Sequence, residues 1–348
     1  MYKIERLDPP YTGEVLCDVN AFENGLGLEF DPEVPPLPLS STRTYAEVHD
    51  PDERTALYVA RADGGAVVGT AWMFGSGLDN THLAFCRLGI AADHRRRGLA
   101  TKLLAAYLEF ATANDRTSLM LGADAYTDAA DAFAASLGAS VGLRAHINQL
   151  ALDDVPAGLA EDWLEAAEAV GGAADAYDLE WVQSGDYPEE SIDDMIAMWD
   201  VLRNDAPMDD IPVESVSTTP EQLRAADART RGFGRERWTL IARHRDSGTP
   251  VGYTELFLPL DDPVRVYQGA TAVHKDHRGH AIGRWLKATT LRRVRVERPS
   301  TKFIRTFNAD SNDPMLAVNN AMGFKPFTPA CRWVIDRADA ETWLEKRS

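Results

Sequence analysis

The chain has 348 residues, 54 acidic and 36 basic side chains for a formal net charge of −18, 45% hydrophobic residues and 3 cysteines. That length is more than one ordinary core needs, and the acidic balance excludes a polyphosphate surface, and with it nucleic acid, as a partner. Cys17, Cys86 and Cys331 are scattered, with no CxxC or His-spaced pattern, which excludes a disulfide framework and a zinc site. The first residues lack the apolar core of a signal peptide, and no run approaches the ~18 apolar residues of a spanning helix. A reduced, cytoplasmic protein with no membrane partner is expected.

In chain order, the hydrophobic pattern predicts strands over 57–62, 66–74 and 82–91, a helix over 99–113, a strand over 119–123 and a short helix ending at Gly138. An amphipathic helix over 158–170, stopped by Gly171 and Gly172, reads as a linker, and a strand restarts over 177–182. Strands then follow over 238–243, 251–258 and 264–274, with a helix over 282–296, a strand over 302–308 and a short helix ending at Gly323. Gly138 and Gly323 stand where left-handed C-terminal glycines belong.

The second series repeats the first. Gly69 and Gly252 lie in similar segments at an offset of 183, and Asp93-His94-Arg95 meets Asp276-His277-Arg278 at the same offset, as does Leu103 with Leu286. Leu137-Gly138 matches Met322-Gly323 at 185, a two-residue insertion. The chain therefore reads as two copies of one α/β fold: a first domain over 1–155, a linker helix over 156–175 and a second domain over 176–348.

After the third strand of each copy comes a loop of cations and small residues that opens a helix: Arg95-Arg96-Arg97-Gly98-Leu99-Ala100, and Arg278-Gly279-His280-Ala281-Ile282-Gly283. Free amides at a helix start, approached closely over small residues, hold an anion such as a diphosphate. His274, His277 and His280 crowd the second loop, but no carboxylate or cysteine completes a metal site, and no metal is expected. No strand ends in GxGxxG, and no GxxxxGK[ST] is present.

The order strand, Arg-x-x-Gly/Ala-x-Gly/Ala, helix resembles the acyl-CoA diphosphate loop of the GNAT superfamily of N-acyltransferases. The first loop fits the pattern in full, while the second has Ala281 where glycine is usual. The resemblance implies two tandem GNAT folds, each a mixed, mostly antiparallel, splayed sheet flanked by helices. It also implies acetyl-CoA as acyl donor, with Leu88-Gly89-Ile90 and Thr271-Ala272-Val273 giving backbone bonds to the pantetheine arm. Asn308 and Asn312, at the end of the next strand, are further cofactor contacts by the same resemblance, with Asn308 also a catalytic candidate through an ordered water; Asn312 reads equally as the cap of the helix that Pro314 opens.

Side chains distinguish the copies. Glu255 has Trp72 as its counterpart, and Asn308 and Asn312 have Ala123 and Thr127. The second domain is therefore expected to be catalytic, and the first structural or CoA-holding. An aliphatic amine is about one part in a thousand neutral at pH 7, so a base is required. Glu255 is expected to assist deprotonation while a strand amide near Val273 polarises the thioester carbonyl, with direct attack and no acyl-enzyme.

The tyrosine that the family uses to protonate the leaving sulfur is replaced by Ala134 and Asn319, which leaves a water, a hydroxyl such as Tyr267 or Tyr253, or departure of the thiolate unprotonated. The acidic segment 202–214 is expected to form the acceptor-side wall, and Trp181, Trp199 and Trp238 line either that pocket or the core. The expected activity is transfer of acetyl to a primary amine of a small molecule, by a monomer or homodimer. Two alternatives stand beside it: a non-catalytic acyl-CoA-binding or sensing module, and an enzyme whose tandem arrangement resembles that of the mycothiol synthases.

Overall fold

A computed structural model describes residues 2–123, 127–182 and 185–347. Its elements in chain order begin with β1 (Lys3–Leu7), α1 (Gly13–Phe30), α2 (Leu39–Glu47), β2 (Arg54–Arg61), β3 (Val67–Gly75), β4 (Leu83–Ile90), α3 (Leu99–Ala113), β5 (Ser118–Ala123), α4 (Asp128–Leu137) and β6 (Ser140–Ala151). They continue with α5 (Leu159–Glu168), α6 (Ala173–Ala176), β7 (Tyr177–Val182), α7 (Ile192–Asp205), α8 (Pro220–Gly232), β8 (Arg235–His244) and β9 (Pro250–Pro259). The last are β10 (Arg265–Val273), α9 (Ile282–Glu297), β11 (Phe303–Ala309), α10 (Asp313–Met322), β12 (Lys325–Asp336) and α11 (Arg337–Glu345).

The chain forms two compact units that are not contiguous halves. The first comprises Met1–Ala145, Met208–Glu214 and Thr328–Ser348, and the second His146–Pro207 and Ser215–Phe327. This differs from the division at 155 and 176 expected from the repeat. The last strand of each copy does not follow its own copy: β12 pairs antiparallel with β5 from Cys331↔Ala123 to Asp336↔Ser118 and completes the first unit. Nor is the predicted linker helix a linker. Ala160, Leu164 and Ala167 of α5 are buried in the core of the second unit with Leu286, Leu291 and Val294 of α9.

In the first unit the strand order is β1-β2-β3-β4-β5-β12, antiparallel except for the parallel pair β4–β5. Leu103, Tyr107 and Ala111 recur every four residues on α3, which places them on one face against Leu119, Leu121, Trp333 and Ile335. The other face of the sheet carries α1 through Leu16 and Val19, against Leu57, Val59 and Trp72. The hydrophobic pattern does not reveal α1, because Gly25 and Gly27 inside it weaken the helical reading.

The second unit repeats the arrangement with β6-β11-β10-β9-β8-β7, where β10–β11 is the parallel pair. There α9 packs on one face, and α7 with α8 on the other. α8 starts on a capping box in which Thr219 Oγ1 accepts from Gln222 N and Gln222 Oε1 accepts from Thr219 N, with Pro220 in the first turn.

The turns that open α3 and α9 share two left-handed positions. In the first unit they are Arg96 (φ 60°) and Gly98 (φ 80°), and in the second Gly279 (φ 84°) and Ala281 (φ 59°). Each loop thus has one glycine and one non-glycine residue in that conformation, in exchanged order. A left-handed L-residue costs roughly 1–2 kcal/mol, which glycine avoids at the expense of unfolded-state entropy. Nothing lies within 4 Å of a Cβ built on Gly279. Gly279→Ala should therefore destabilise by about 1 kcal/mol from conformation alone, and Ala281→Gly should stabilise by up to about 1 kcal/mol, giving opposite shifts of the urea midpoint within one loop.

Lys287 of α9 lies where α3 has Leu104, and it is buried, 2% exposed. Its Nζ is 5.8 Å from the centre of the Phe324 ring. Burial lowers its pKa to about 7. Between that value and the ordinary lysine value the unfolded chain binds the extra proton, so this group makes stability rise with pH across the window. Lys287→Leu should stabilise on the order of a few kcal/mol below pH 7, with the gain shrinking as pH rises towards 10, as read by denaturant unfolding at a series of pH values.

Candidate functional site

Neither α3 nor α9 has a side-chain cap or an acidic residue in its first turn, in contrast to α4, capped by Thr127, and α8, capped by Thr219. The amides that open α3 and α9 therefore have no side-chain cap as acceptor, and left-handed residues curve the backbone just before each helix.

The side chains flanking each loop hold this turn rather than projecting from it. Arg95 Nε donates to Ile90 O at 2.9 Å and its Nη2 to Glu29 at 2.5 Å. Arg278 Nε donates to Val273 O at 3.0 Å and its Nη2 to Asp205 at 2.7 Å. The preceding histidines are each tied to a tyrosine at the outermost strand of its unit's sheet, just before β1 or at the start of β7: Tyr2 OH and His94 Nδ1 share a hydrogen bond of 2.9 Å, and Tyr177 OH and His277 Nδ1 one of 3.0 Å. The repeated Asp-His-Arg triplet was legible in the sequence, but the tyrosine partners were not, because they lie far away along the chain. Around Tyr177 the rings of His244, His277 and His280 meet edge-on. Burial, then His244 and His274, push the His277 pKa down. Among the described residues no group of three or more His, Cys, Asp or Glu side chains forms a metal site.

Leading to each loop, the parallel strand pair comes apart. β4 and β5 stay in register from Leu83↔Ser118 to Arg87↔Gly122, which leaves 88–90 beyond the last pair. β10 and β11 are in register only from Arg265↔Phe303 to Tyr267↔Arg305, which leaves 268–273. Thr271, Ala272 and Val273, like Leu88, Gly89 and Ile90, therefore lie on the parted edge. Against β9, β10 also gains one residue: Gln268 faces Leu256 but Thr271 faces Thr254, so that Gly269 and Ala270 together oppose Glu255. β3 and β4 show no such shift.

In the first unit a cleft of about 610 Å³ runs along the parted strands, lined among others by Glu23, Arg87, Gly89, Arg95, Gly98 and Trp333. At one end Glu23 of α1 accepts hydrogen bonds from Thr70 Oγ1 (2.9 Å), Trp72 Nε1 (2.8 Å) and Arg87 Nη1 (3.0 Å). The carboxylate at this end is fully engaged in holding its neighbours.

In the second unit Glu255 is 4% exposed. It accepts from the Tyr187 hydroxyl and from Thr239 Oγ1 at 3.4 Å, and Arg237 Nε lies 4.0 Å away. Arg237 is also bound to Asp227 at 2.5 Å and stacks on Tyr187, with Cζ 3.4 Å from the ring centre. Burial raises the Glu255 pKa, opposed by Arg237 and by the hydrogen bonds from Tyr187 and Thr239. Tyr253, two residues before Glu255 on β9, has a buried hydroxyl with no hydrogen-bond partner among the described residues, and burial and Glu255 hold its pKa well above the usual tyrosine range. Tyr187, Arg237 and Asp227 escaped the sequence reading because their roles arise only where three distant segments meet.

Asn308 is buried and accepts from Asn319 Nδ2 at 2.9 Å and Asn148 Nδ2 at 3.2 Å. Asn312 caps α10, accepting from Met315 N at 3.3 Å. Tyr267 is the last residue of β10 paired with β11, and its ring lies under the Arg235 guanidinium, 4.9 Å from Cζ. Of the acidic segment 202–214, Asp205 binds Arg278, and residues 208–214 belong to the first unit. There Asp210 N donates to Gly142 O, Glu214 N donates to Asn80, and His82 meets Pro212 O. Trp181 and Trp238 pack in the core beside α9, and Trp199 packs against the cluster of Tyr187 and Tyr253.

Residues 20–139 match the acetyltransferase (GNAT) family. No curated protein matches the sequence. Among solved structures, a tandem GNAT protein from the clavulanic acid biosynthesis pathway is 24% identical, with a TM-score of 0.74 over 97% of this chain and 99% of that one. A GCN5-related N-acetyltransferase from Sphaerobacter thermophilus is 13% identical, with a TM-score of 0.66 over 97% of this chain and 96% of that one. A glucosamine N-acetyltransferase region of a fungal multi-domain β-N-acetylglucosaminidase is 14% identical, with a TM-score of 0.61 over 96% of this chain and 38% of that one. At these identities the likeness is one of fold. Residues 20–139 thus match the acetyltransferase (GNAT) family, and the chain has the fold of a tandem GNAT protein along nearly its whole length.

Proposed function

We propose that the second unit is an N-acetyltransferase centre that moves acetyl from acetyl-CoA to a primary amine of a small molecule. The observation that carries this reading is the bulge of β10 opposite Glu255, at the start of the longer parted edge and present only in the second unit. A bulge takes a residue out of the ladder and re-aims its backbone groups. Here that backbone lies beside the gap a thioester would enter.

The diphosphate of CoA would rest on the amides of 279–283, with Arg278 fixing the turn and His280 at its rim. The pantetheine arm would follow Thr271, Ala272 and Val273, with Asn308 and Asn312 at the far side of the parting. A strand amide polarises the thioester carbonyl, and Glu255, its pKa raised by burial, accepts the proton of the incoming ammonium through water. The amine then attacks directly, and the tetrahedral intermediate expels the thiolate. Of the two hydroxyl candidates for protonating sulfur, the unpartnered Tyr253 is better supported than Tyr267, which is engaged by Arg235. In the first unit the turn of 95–100 and the edge of 88–90 are complete, but Glu23, Trp72 and Arg87 occupy one another at the end where a reacting group would sit. That unit fits a CoA-holding or sensing role.

The test is thiol release from acetyl-CoA across a panel of primary amines. Glu255→Gln should lower kcat by roughly 10²–10⁴-fold and remove the acid limb of its pH profile, while the KM for acetyl-CoA changes little. A variant that keeps both the rate and the profile of the parent would assign Glu255 to structure alone.

A further inference from the structure

The β10 bulge needs something to hold it. Opening an antiparallel ladder leaves buried carbonyls without strand partners, and such groups must find other donors. The Gln268 carboxamide supplies them: Nε2 donates to Glu255 O at 2.7 Å and to Thr254 Oγ1 at 3.0 Å, with Ala270 O and Thr271 Oγ1 at 3.4 Å. Thr254 Oγ1 lies 2.8 Å from Thr271 Oγ1 and donates to Ala270 O at 3.3 Å. Gln268 and Thr254 are buried, 8% and 0% exposed. The bulge also excludes a side chain at Gly269, where a Cβ would fall 2.6 Å from the Phe257 ring.

The first unit shows what happens without this clamp. By strand register, Gln268, Thr254 and Thr271 correspond to Cys86, Ala71 and Leu88, since Met73 faces Cys86 and Ala71 faces Leu88. None of the three carries an amide or hydroxyl. There the ladder runs without a shift from Gly69↔Ile90 to Phe74↔Phe85, and β4 stays zipped to β5 through Cys86↔Leu121 and Arg87↔Gly122. The clamp, the bulge and the longer parting occur together in one unit and are absent together from the other.

We propose that Gln268, braced by Thr254 and Thr271, is a positioning residue: it holds β10 bulged so that the backbone of 269–271 faces the thioester carbonyl of a bound acyl-CoA. By alternation along β9, Thr254 projects to the face opposite Glu255, so the clamp sets the backbone without touching the base. This inference rests on the reading of the second unit as the acetyltransferase centre.

The test uses the full chain with Gln268→Leu and Gln268→Glu, acetyl-CoA and an amine that the parent accepts. Three quantities are read: kcat, the KM for acetyl-CoA, and the inhibition constant of free CoA, which reports the same cleft without the thioester. Gln268→Leu should lower kcat by about 10²-fold, the scale of one lost transition-state donor, with the CoA inhibition constant within about twofold of the parent. Gln268→Glu keeps the shape but turns oxygen towards oxygen when ionised, so its kcat should be low at pH 8.5 and recover relative to the parent at pH 6, where the protonated carboxyl donates again. Unchanged kcat in a folded Gln268→Leu overturns the proposal. So does a parallel fall of kcat, CoA inhibition and melting temperature in both variants with no recovery at low pH, which is the mark of a merely structural residue. If the parent itself releases no thiol with any amine, the acetyltransferase reading falls and this inference with it; parental turnover with indifferent variants removes this inference alone.

Discussion

Two parallel strands that part leave a row of backbone N–H and C=O groups with no strand to bond, and a buried peptide group without a partner is expensive. Much of the architecture answers that constraint. Each unit opens its sheet between one pair of parallel strands, follows the opening with a turn whose own amides are free, and lays helices on both sheet faces. On the proposed reading, an extended ligand rich in amides and phosphates bonds to this edge, and the fold supplies the parted strands that receive it.

The two units obey the constraint differently. The first keeps its strands zipped for longer and bonds its carboxylate, Glu23, to a threonine, a tryptophan and an arginine. The second parts early, satisfies the exposed carbonyls with one glutamine and two threonines, and buries Glu255 among Tyr187, Thr239 and Arg237. The frame is shared and the polar decoration is not. Duplication followed by divergence at a few strand positions accounts for two units that share a frame and differ in the polar groups along the parted strands.

The parts of this arrangement that repeat were legible in the chain. The turns at 95–100 and 278–283, the strand glycines Gly69 and Gly252, and the Trp72 to Glu255 difference follow from aligning the sequence with itself, because they sit at a fixed offset. Three things were not. α1 is hidden by its internal glycines, and Tyr2 and Tyr177 meet the loop histidines only through tertiary structure. The bulge is a one-residue slip that an ungapped alignment passes over, because Thr254 with Ala71 before it and Thr271-Ala272-Val273 with Leu88-Gly89-Ile90 after it all stand at the common offset. Asn312 was ambiguous between a ligand contact and a helix cap, and its oxygen is in fact bonded to Met315 N.

The first unit draws its final strand and helix from 328–348, nearly two hundred residues after α4. On the ribosome, at about 5–20 residues per second, β5 waits roughly 10–40 s for its neighbour. Throughout that interval its outer edge and the apolar face that Trp333 and Ile335 later cover are open to solvent and to other nascent chains. Segment 146–327 emerges in the meantime and can fold almost entirely from local sequence. Biogenesis is therefore ordered inside-out, with the domain that begins the chain being the last to close, and a premature stop shortly before residue 328 would leave the earlier domain, not the later one, unfinished.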